Sequence, residues 1–310
     1  MTGAGSAPAE SMKRVSVSPY LLLVLVALFW AANSVLARWI RFEIPPIGLS
    51  FWRWAVAGAI LLPFVWRDMV RIWPLVRSNL GKVALLSILG VTNFNTFLYL
   101  GLQTTTASNA VLLLSVMPLI IILLAWLILG VPVRLRQSLG ILVSMAGVAV
   151  IVARGELKRV LDLDLLSGDL WVLAAVLSWA AYSVLLKRRT VGFDGSPFLG
   201  YTIVVGLLFI APLYLWEIGT GRSVNWNAIT VASVLYVALF ASILAYLFWN
   251  HAVEKVGPNR AGQFIHLIPV FGSLMSVFFL GEKLYLHHLA GVLLVAVGIA
   301  LATFWYPASD

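Results

Sequence analysis

The chain alternates between long apolar runs and short polar connections. Runs such as Pro19–Ala32 and Val111–Gly130 are apolar on every face, so they do not show the period-two pattern of a half-buried strand. A helix satisfies its backbone hydrogen bonds internally, and about 20 residues cross a bilayer, so such runs predict transmembrane helices rather than a β-barrel. Ten spans are predicted, at approximately residues 19–37, 46–66, 82–102, 108–130, 138–153, 169–186, 197–217, 228–250, 261–281 and 286–306.

Composition strengthens this interpretation. Of the 310 residues, 62% are hydrophobic and 11% are charged, whereas a soluble protein carries roughly 25% charged residues. Membrane lipid must therefore cover much of the surface. The net charge of +9 comes from cations clustered between the apolar runs, which indicates topology rather than a nucleic-acid partner. With no cysteine in the chain, disulfides and thiolate metal sites are absent, and we expect neither a metal nor another cofactor.

The distribution of lysine and arginine predicts the orientation of the spans. If the N-terminus is inside, 13 of the 21 cations lie in inner loops, seven lie in outer loops, and Arg53 lies within a span. This asymmetry favours ten spans with both termini in the cytoplasm. The inner cations are Lys13, Arg14, Arg67, Arg71, Arg77, Lys82, Arg134, Arg136, Lys187, Arg188, Arg189, Lys255 and Arg260.

An internal repeat covers nearly the whole chain. The segment Trp30–Leu36 matches Trp179–Leu185 at an offset of 149, and further on Pro118 matches Pro269 at an offset of 151. Each repeat holds five spans, an odd number, so the second repeat must be inverted relative to the first. Inverted repeats are typical of transporters that bind substrate near the middle of the membrane. The predicted units are a disordered cytoplasmic tail (1–18), the first repeat (19–153), a periplasmic junction (154–168) and the second repeat (169–306).

The motifs in both repeats resemble a known family. The pattern Pro269–Ser273, then Leu280–Leu284, with Gly291 and Gly298 further on, is similar to the second EamA repeat of the drug/metabolite transporter superfamily. Phe29–Ser34 and Phe51–Trp54 fit the first repeat, although Val131 and Pro132 follow Gly130 where the family usually has Glu. The resemblance implies a ten-helix exporter in the bacterial inner membrane that works by alternating access. The overall sequence, with its many aromatic residues, is similar to the bacterial aromatic amino-acid exporters of this family.

Neutral polar residues within the spans form the candidate substrate site. A buried polar side chain is costly in a membrane unless it meets a protein partner or water, so such residues are natural candidates for substrate binding. Residues three or four apart share one face of a helix. The candidates, on helices 1, 3, 6, 8 and 9, are Trp30, Asn33, Ser34, Asn95, Tyr99, Trp179, Tyr182, Ser183, Tyr246, Asn250, Gln263 and His266, with Asn109 and Ser115 completing the ring from helix 4.

Each candidate has a structural alternative. The serines can contact substrate or can simply form a hydrogen bond to a neighbouring helix. His266 can be a proton site or a neutral hydrogen-bond donor. Arg53 can bind a carboxylate, but its position predicts that it snorkels to the outer interface. Glu282 and Lys283 fit a gate or a solvated loop pair. Pro118 and Pro269 can bend helices 4 and 9 for gating or form permanent kinks.

Glycine and serine patterns mark two further helices as scaffold. Gly140, Ser144 and Gly147 share one face of helix 5, and Gly291 and Gly298 share one face of helix 10. Small residues at this spacing let helices approach closely, so helices 5 and 10 are expected to pack on each other or in a dimer.

The leading functional prediction is an exporter of aromatic and other neutral amino acids and related small metabolites. A different metabolite, such as a sugar phosphate or a drug-like compound, is the alternative within the superfamily, and a channel or scramblase is a further class. An enzyme is not expected, because the spans carry no paired acids and no G-x-S-x-G or H-E-x-x-H motif. For the energy source, the sequence is compatible with proton antiport and with facilitated exit. For the oligomeric state, it is compatible with a monomer and with a weak homodimer.

Overall fold

Every regular element in the described part of the chain is helical. The computed structural model describes residues 17–156, 166–189, 192, 195–280 and 285–303, so most of the predicted tail, the centre of the junction and the Glu282–Lys283 pair lie outside the described residues. Within that part, nine helices are long and apolar enough to cross a membrane, as expected for a multi-pass membrane protein.

The helices are numbered in chain order. Seven are α1 (Pro19–Trp39), α2 (Pro46–Arg77), α3 (Leu80–Thr104), α5 (Leu135–Val152), α6 (Ser167–Leu186), α7 (Gly195–Gly219) and α8 (Ala228–Val256). The other three are α4 in two pieces (Ala107–Ser115 and Met117–Leu129), α9 in three pieces (Pro258–Gln263, Phe264–His266 and Leu267–Leu280) and α10 (Leu286–Thr303).

Helix α2 is the longest element and continues eleven residues past its predicted end at residue 66. Its extra turns carry Arg67, Arg71 and the exposed ring of Trp73, and the exposed ring of Trp66 directly precedes them. Aromatic and basic side chains of this kind suit the headgroup region, where water still solvates charge. The prediction ended the helix where hydrophobicity fell, whereas the backbone stays helical through the interface.

Helices α4 and α9 are interrupted just before the prolines at matching positions. Pro118 lies at the start of the second piece of α4, and Pro269 follows the short 3₁₀ turn of α9. A proline removes a backbone donor and crowds the preceding turn. Around Pro118 the amides of Leu119 and Ile120 both bond to the carbonyl of Val116, and the carbonyl of Ser115 accepts from His266 instead.

Helices α3 and α8 each contain a π-helical segment. The segments are Ile88–Asn93 in α3 and Val237–Leu244 in α8, and their positions correspond at the same offsets of 149 to 151 that relate the two repeats. A π-helical turn widens the backbone and changes which carbonyls are engaged. Each segment thus presents carbonyl oxygens to side chains from other helices.

Helices α5 and α10 pack against each other within the chain, one of the two arrangements predicted for them. A Cβ atom at Gly140 would lie 2.6 Å from the carbonyl oxygen of Gly298, and one at Gly147 would lie 2.7 Å from that of Gly291. Any side chain larger than hydrogen would therefore separate the helices. The glycine and serine faces of α5 and α10 form this helix–helix contact, and the candidate site is formed by other helices.

The two ends of the helix bundle are distinguished here as the cleft face and the far face. The cleft face is the end at which α2, α6 and α8 terminate and α7 begins, and the far face is the opposite end, at which α2, α6 and α8 begin. Between them, large apolar side chains such as Phe64, Leu208 and Leu215 are more than two-thirds exposed. In a bilayer these side chains would contact lipid.

Candidate functional site

Arg53 lies at the centre of a buried hydrogen-bond network. Only 1% of its surface is exposed, so the prediction that it snorkels to the interface is wrong. Its position on α2 is opposite the π-helical segment of α8, which brings the guanidinium to neutral oxygen atoms inside the protein. It donates to the side-chain oxygens of Asn95 (2.6 Å), Tyr99 (2.7 Å) and Ser242 (2.9 Å), and to the carbonyl of Ala241 (3.0 Å).

Two hydrogen bonds between tyrosine and asparagine flank this centre. The Tyr99 hydroxyl donates to Oδ1 of Asn33 at 2.9 Å, and the Tyr182 hydroxyl donates to Oδ1 of Asn250 at 2.7 Å. Asn33 and Tyr182 correspond at an offset of 149, and Tyr99 and Asn250 correspond at 151. The same bond therefore occurs at both corresponding places with the residue types exchanged. The Asn33–Tyr99 pair lies toward the far face, and the Tyr182–Asn250 pair lies toward the cleft face.

Corresponding residues of the two halves also contact each other directly. The rings of Trp30 and Trp179 meet edge to face with centroids 4.9 Å apart, and Nδ2 of Asn95 donates to the hydroxyl of Tyr246 at 3.0 Å. Such self-matching contacts are expected where a pseudo-two-fold axis passes through the molecule.

The two π-helical segments supply the acceptors for this centre. The carbonyl of Ala241 accepts from Nε1 of Trp30 at 3.1 Å, and the carbonyl of Gly90 accepts from the Tyr246 hydroxyl at 2.5 Å. Gly90 and Ala241 correspond at an offset of 151. Sequence reasoning missed these carbonyls because a backbone acceptor leaves no residue-type signal.

A small cavity lies against the network. Its volume of about 20 Å³ accommodates roughly one water molecule, so the centre is nearly closed in this structure. Five predicted residues line it, namely Trp30, Asn33, Ser34, Asn95 and Trp179. Apolar side chains complete the wall, and those from α4 are Leu114 and Met117.

Several predicted site residues lie outside the lining of this cavity. Nε2 of His266 bonds to the carbonyl of Ser115 at 2.9 Å, and Nε2 of Gln263 donates to the carbonyl of Asn259 at 3.3 Å. Ser183 is fully buried and its hydroxyl has no partner among the described residues. Asn109 was expected to complete the ring from α4, but its amide bonds to Asp169 near the far face at 3.0 Å.

A larger cleft opens on the cleft face. Its volume is about 610 Å³, and Asn250 of the Tyr182–Asn250 pair forms part of its wall. The cleft was not predicted, because most of its wall comes from helix ends and loops, and Asn250 is the one predicted site residue in its lining. Charged side chains of both signs line it, namely Asp68, Arg71, Arg189, Glu254 and Lys255, and Arg189 forms an ion pair with Glu254.

Carboxylates connect the helix ends at the far face. Glu217 at the end of α7 accepts from the backbone amides of Ile47 (3.2 Å) and Gly48 (2.7 Å) at the start of α2, a favourable place for negative charge. Glu43 accepts from the side chains of Asn225 and Asn227. Asp169 accepts from Thr105, Asn109 and the amide of Leu166.

An apolar cluster lies at the far face and includes Tyr99 of the Asn33–Tyr99 pair. Its buried members are Ala37, Ile40, Ile44, Leu49, Tyr99 and Val234.

Comparison with known proteins agrees with this architecture. The model of the EamA-like transporter family matches the chain twice, at residues 17–153 and 166–304. The chain belongs to this family. Similar EamA-like proteins include the uncharacterized transporter YyaM of Bacillus subtilis (strain 168), which is 28% identical over 94% of this chain and 95% of its own length. An uncharacterized transporter of Archaeoglobus fulgidus is 28% identical over 92% of this chain and 96% of its own length.

A solved structure shares the fold of this EamA-like transporter. It superposes with a TM-score of 0.73 at 20% identity, covering 92% of this chain and 96% of the other. The chain is thus a multi-pass membrane protein of a transporter family.

Proposed function

We propose that the protein exports amino acids, aromatic and other neutral ones, and related small metabolites across the bacterial inner membrane by alternating access. The proposed architecture has ten spans in two inverted five-helix repeats, with both termini in the cytoplasm and residues 154–168 as a periplasmic junction. The double family match and the self-matching contacts of Trp30 with Trp179 support the repeat. In this orientation the cleft face is cytoplasmic, which agrees with the excess of lysine and arginine there.

The observation that carries the proposal is the position of the small cavity between two matching tyrosine–asparagine pairs. The pair at the far face is covered by the apolar cluster and the carboxylate links, whereas the pair at the cleft face borders the large cleft. This asymmetry fits an inward-facing carrier with its outer side closed. Exchange of the open and closed sides would carry a bound solute across the membrane.

The chemistry of the cavity supports an amino acid as cargo. The indole rings of Trp30 and Trp179 offer flat apolar surfaces. The amide of Asn33 offers Nδ2 as a donor and the second lone pair of Oδ1 as an acceptor, since Tyr99 engages only the first. A zwitterion with an apolar side chain matches this mixture. The cavity must widen to hold it, since about 20 Å³ is far smaller than an amino acid.

A sugar phosphate matches the cavity less well. Phosphate-binding sites use clusters of arginine or lysine, whereas none of the residues that line this cavity is a cation, and Arg53 lies behind its wall. A channel or scramblase would need a continuous path. Counterflow separates these classes, because only a carrier exchanges internal unlabelled for external labelled solute faster than net flow.

The direct test uses purified protein in liposomes preloaded with labelled phenylalanine, tryptophan, threonine or methionine. We expect protein-containing vesicles to release at least one of these amino acids faster than protein-free vesicles. If protein-containing and protein-free vesicles release each of the four amino acids at the same rate, the amino-acid assignment is refuted. Repeating the assay with and without an imposed pH gradient distinguishes proton antiport from facilitated exit.

A further inference from the structure

The positive charge of Arg53 has no negative partner among the described residues. A guanidinium has five N–H donors and keeps its charge in proteins, and the four bonds that Arg53 makes all end on neutral oxygens. The buried carboxylates at the far face are engaged elsewhere, Glu217 by the start of α2 and Asp169 by Thr105 and Asn109. A buried charge without a counter-ion is unfavourable, so this region favours a ligand that brings negative charge.

A chain of hydrogen bonds extends from Arg53 to the cavity. Arg53 donates to the hydroxyl oxygen of Tyr99, and this hydroxyl donates to Oδ1 of Asn33, which lines the cavity. With Oδ1 engaged in this way, the Nδ2 group of Asn33 is left as the donor of that amide. Every bond in the chain therefore runs in one direction, and the chain ends in an N–H group at the cavity wall. Hydrogen bonds aligned in this sense polarise one another.

Trp179, which lines the same cavity, has a second donor that is not in use. It is fully buried and lines the cavity, and its Nε1 has no hydrogen-bond partner among the described residues. Its counterpart Trp30 instead donates to the carbonyl of Ala241. An unused buried N–H is costly in an apolar environment, and a ligand acceptor would satisfy it.

We propose that the cavity contains a carboxylate subsite formed by Nδ2 of Asn33 and Nε1 of Trp179, with Arg53 as a positioning residue that supplies positive charge through Tyr99. The inference rests on the proposed function, in that the same cavity receives the cargo. The ligand class is a small organic acid whose single carboxylate adjoins an apolar or aromatic group. One buried guanidinium matches one negative charge.

The test compares three probes that share a phenyl ring. They are phenylalanine, 3-phenylpropionate, which keeps the carboxylate but lacks the ammonium, and phenethylamine, which keeps the ammonium but lacks the carboxylate. Binding to the full chain in lipid nanodiscs is measured by titration calorimetry. We expect phenylalanine and 3-phenylpropionate to bind, and phenethylamine to bind about tenfold more weakly or worse.

Variants assign the effect to residues. Arg53→Gln should weaken binding of 3-phenylpropionate about tenfold or more, and Arg53→Lys should restore part of it because the charge returns. Trp179→Phe removes the free N–H but keeps a ring, and should weaken 3-phenylpropionate several-fold. Trp249→Phe is the matched control, since Trp249 is also buried with an unpartnered Nε1 but does not line the cavity. If Arg53→Gln does not fold, the comparison of Trp179→Phe with Trp249→Phe still tests the subsite.

The outcomes separate this subsite from the proposed function. Equal binding of 3-phenylpropionate and phenethylamine, or equal effects of Trp179→Phe and Trp249→Phe, would overturn the subsite. If phenylalanine is exported despite such a result, the proposed function stands and the subsite fails. If 3-phenylpropionate binds as expected while no amino acid is exported, the subsite stands and the amino-acid assignment fails.

Discussion

Tyr99 and Tyr182 make the same hydrogen bond in different surroundings. Tyr99 accepts from Arg53 and donates to Asn33 within a closed region, whereas Tyr182 donates to Asn250, which borders the cleft. Loss of a hydrogen bond costs more where water cannot replace the missing partner. The two residues therefore differ in what their hydroxyl groups contribute.

Tyrosine-to-phenylalanine substitutions measure this difference. We expect Tyr99→Phe to lower the melting temperature more than Tyr182→Phe, because Tyr99→Phe removes one of the four hydrogen bonds of Arg53 and also the donor to Oδ1 of Asn33. A single hydrogen bond contributes about 1 kcal/mol to stability, and Tyr99 takes part in two. Thermal unfolding of the purified variants provides the measurement. Equal shifts, or a larger shift for Tyr182→Phe, would contradict the assigned environments.

Sequence reasoning reached many of the residues of the centre but misjudged their relationships. Polarity and the repeat identified Asn33, Asn95, Tyr99 and Tyr246, because an uncharged polar residue within an apolar run stands out. Arg53 was predicted to lie at the interface because it is close in sequence to the start of α2. The sequence does not show that the π-helical segment of α8 supplies hydrogen-bond acceptors to its guanidinium. His266 and Gln263 are polar residues within an apolar run in the same way, yet they bond to backbone carbonyls. His266 bonds to Ser115 on α4, and Gln263 bonds to Asn259 one turn earlier on α9.

At the scale of elements, the packing of α5 on α10 was predictable because glycine spacing reports directly on helix approach. A methyl group at Gly147 would lie 2.7 Å from the carbonyl oxygen of Gly291, so one helix must shift to admit it. The π-helical segments were not predictable, because their residues are apolar and have no distinctive spacing. The extension of α2 was missed for a related reason, since hydrophobicity marks the membrane boundary rather than the end of a helix.

Alanine substitutions test the α5–α10 contact. We expect Gly147→Ala to destabilise the protein by about 1–3 kcal/mol, the usual cost of overpacking a closely packed site. Gly81→Ala in α3 is the control, because nothing lies within 4 Å of the Cβ position there. Thermal unfolding in the same detergent should show a lower midpoint for Gly147→Ala alone. A matching decrease in both variants would rule out close packing as the cause.

At the scale of the whole molecule, the two ends of the bundle are in different states. The cleft face has an open volume of about 610 Å³, and at the far face carboxylates and an apolar cluster join the helix ends. A corresponding tyrosine–asparagine pair lies toward each face. Alternating access predicts that the far face opens as the cleft closes. The sequence predicted a repeat, but not which side is open, because both conformations share one sequence.

The absence of native cysteine makes this prediction directly measurable. Ala37→Cys places a thiol in the apolar cluster near the far face, where Ala37 is 5% exposed, and Ser196→Cys places one in the wall of the cleft. In nanodiscs, a hydrophilic maleimide should label the second variant much faster than the first. Addition of phenylalanine should raise the rate at position 37 and lower the rate at position 196. Two rates that stay constant, or that change in the same direction, would contradict the alternating-access account.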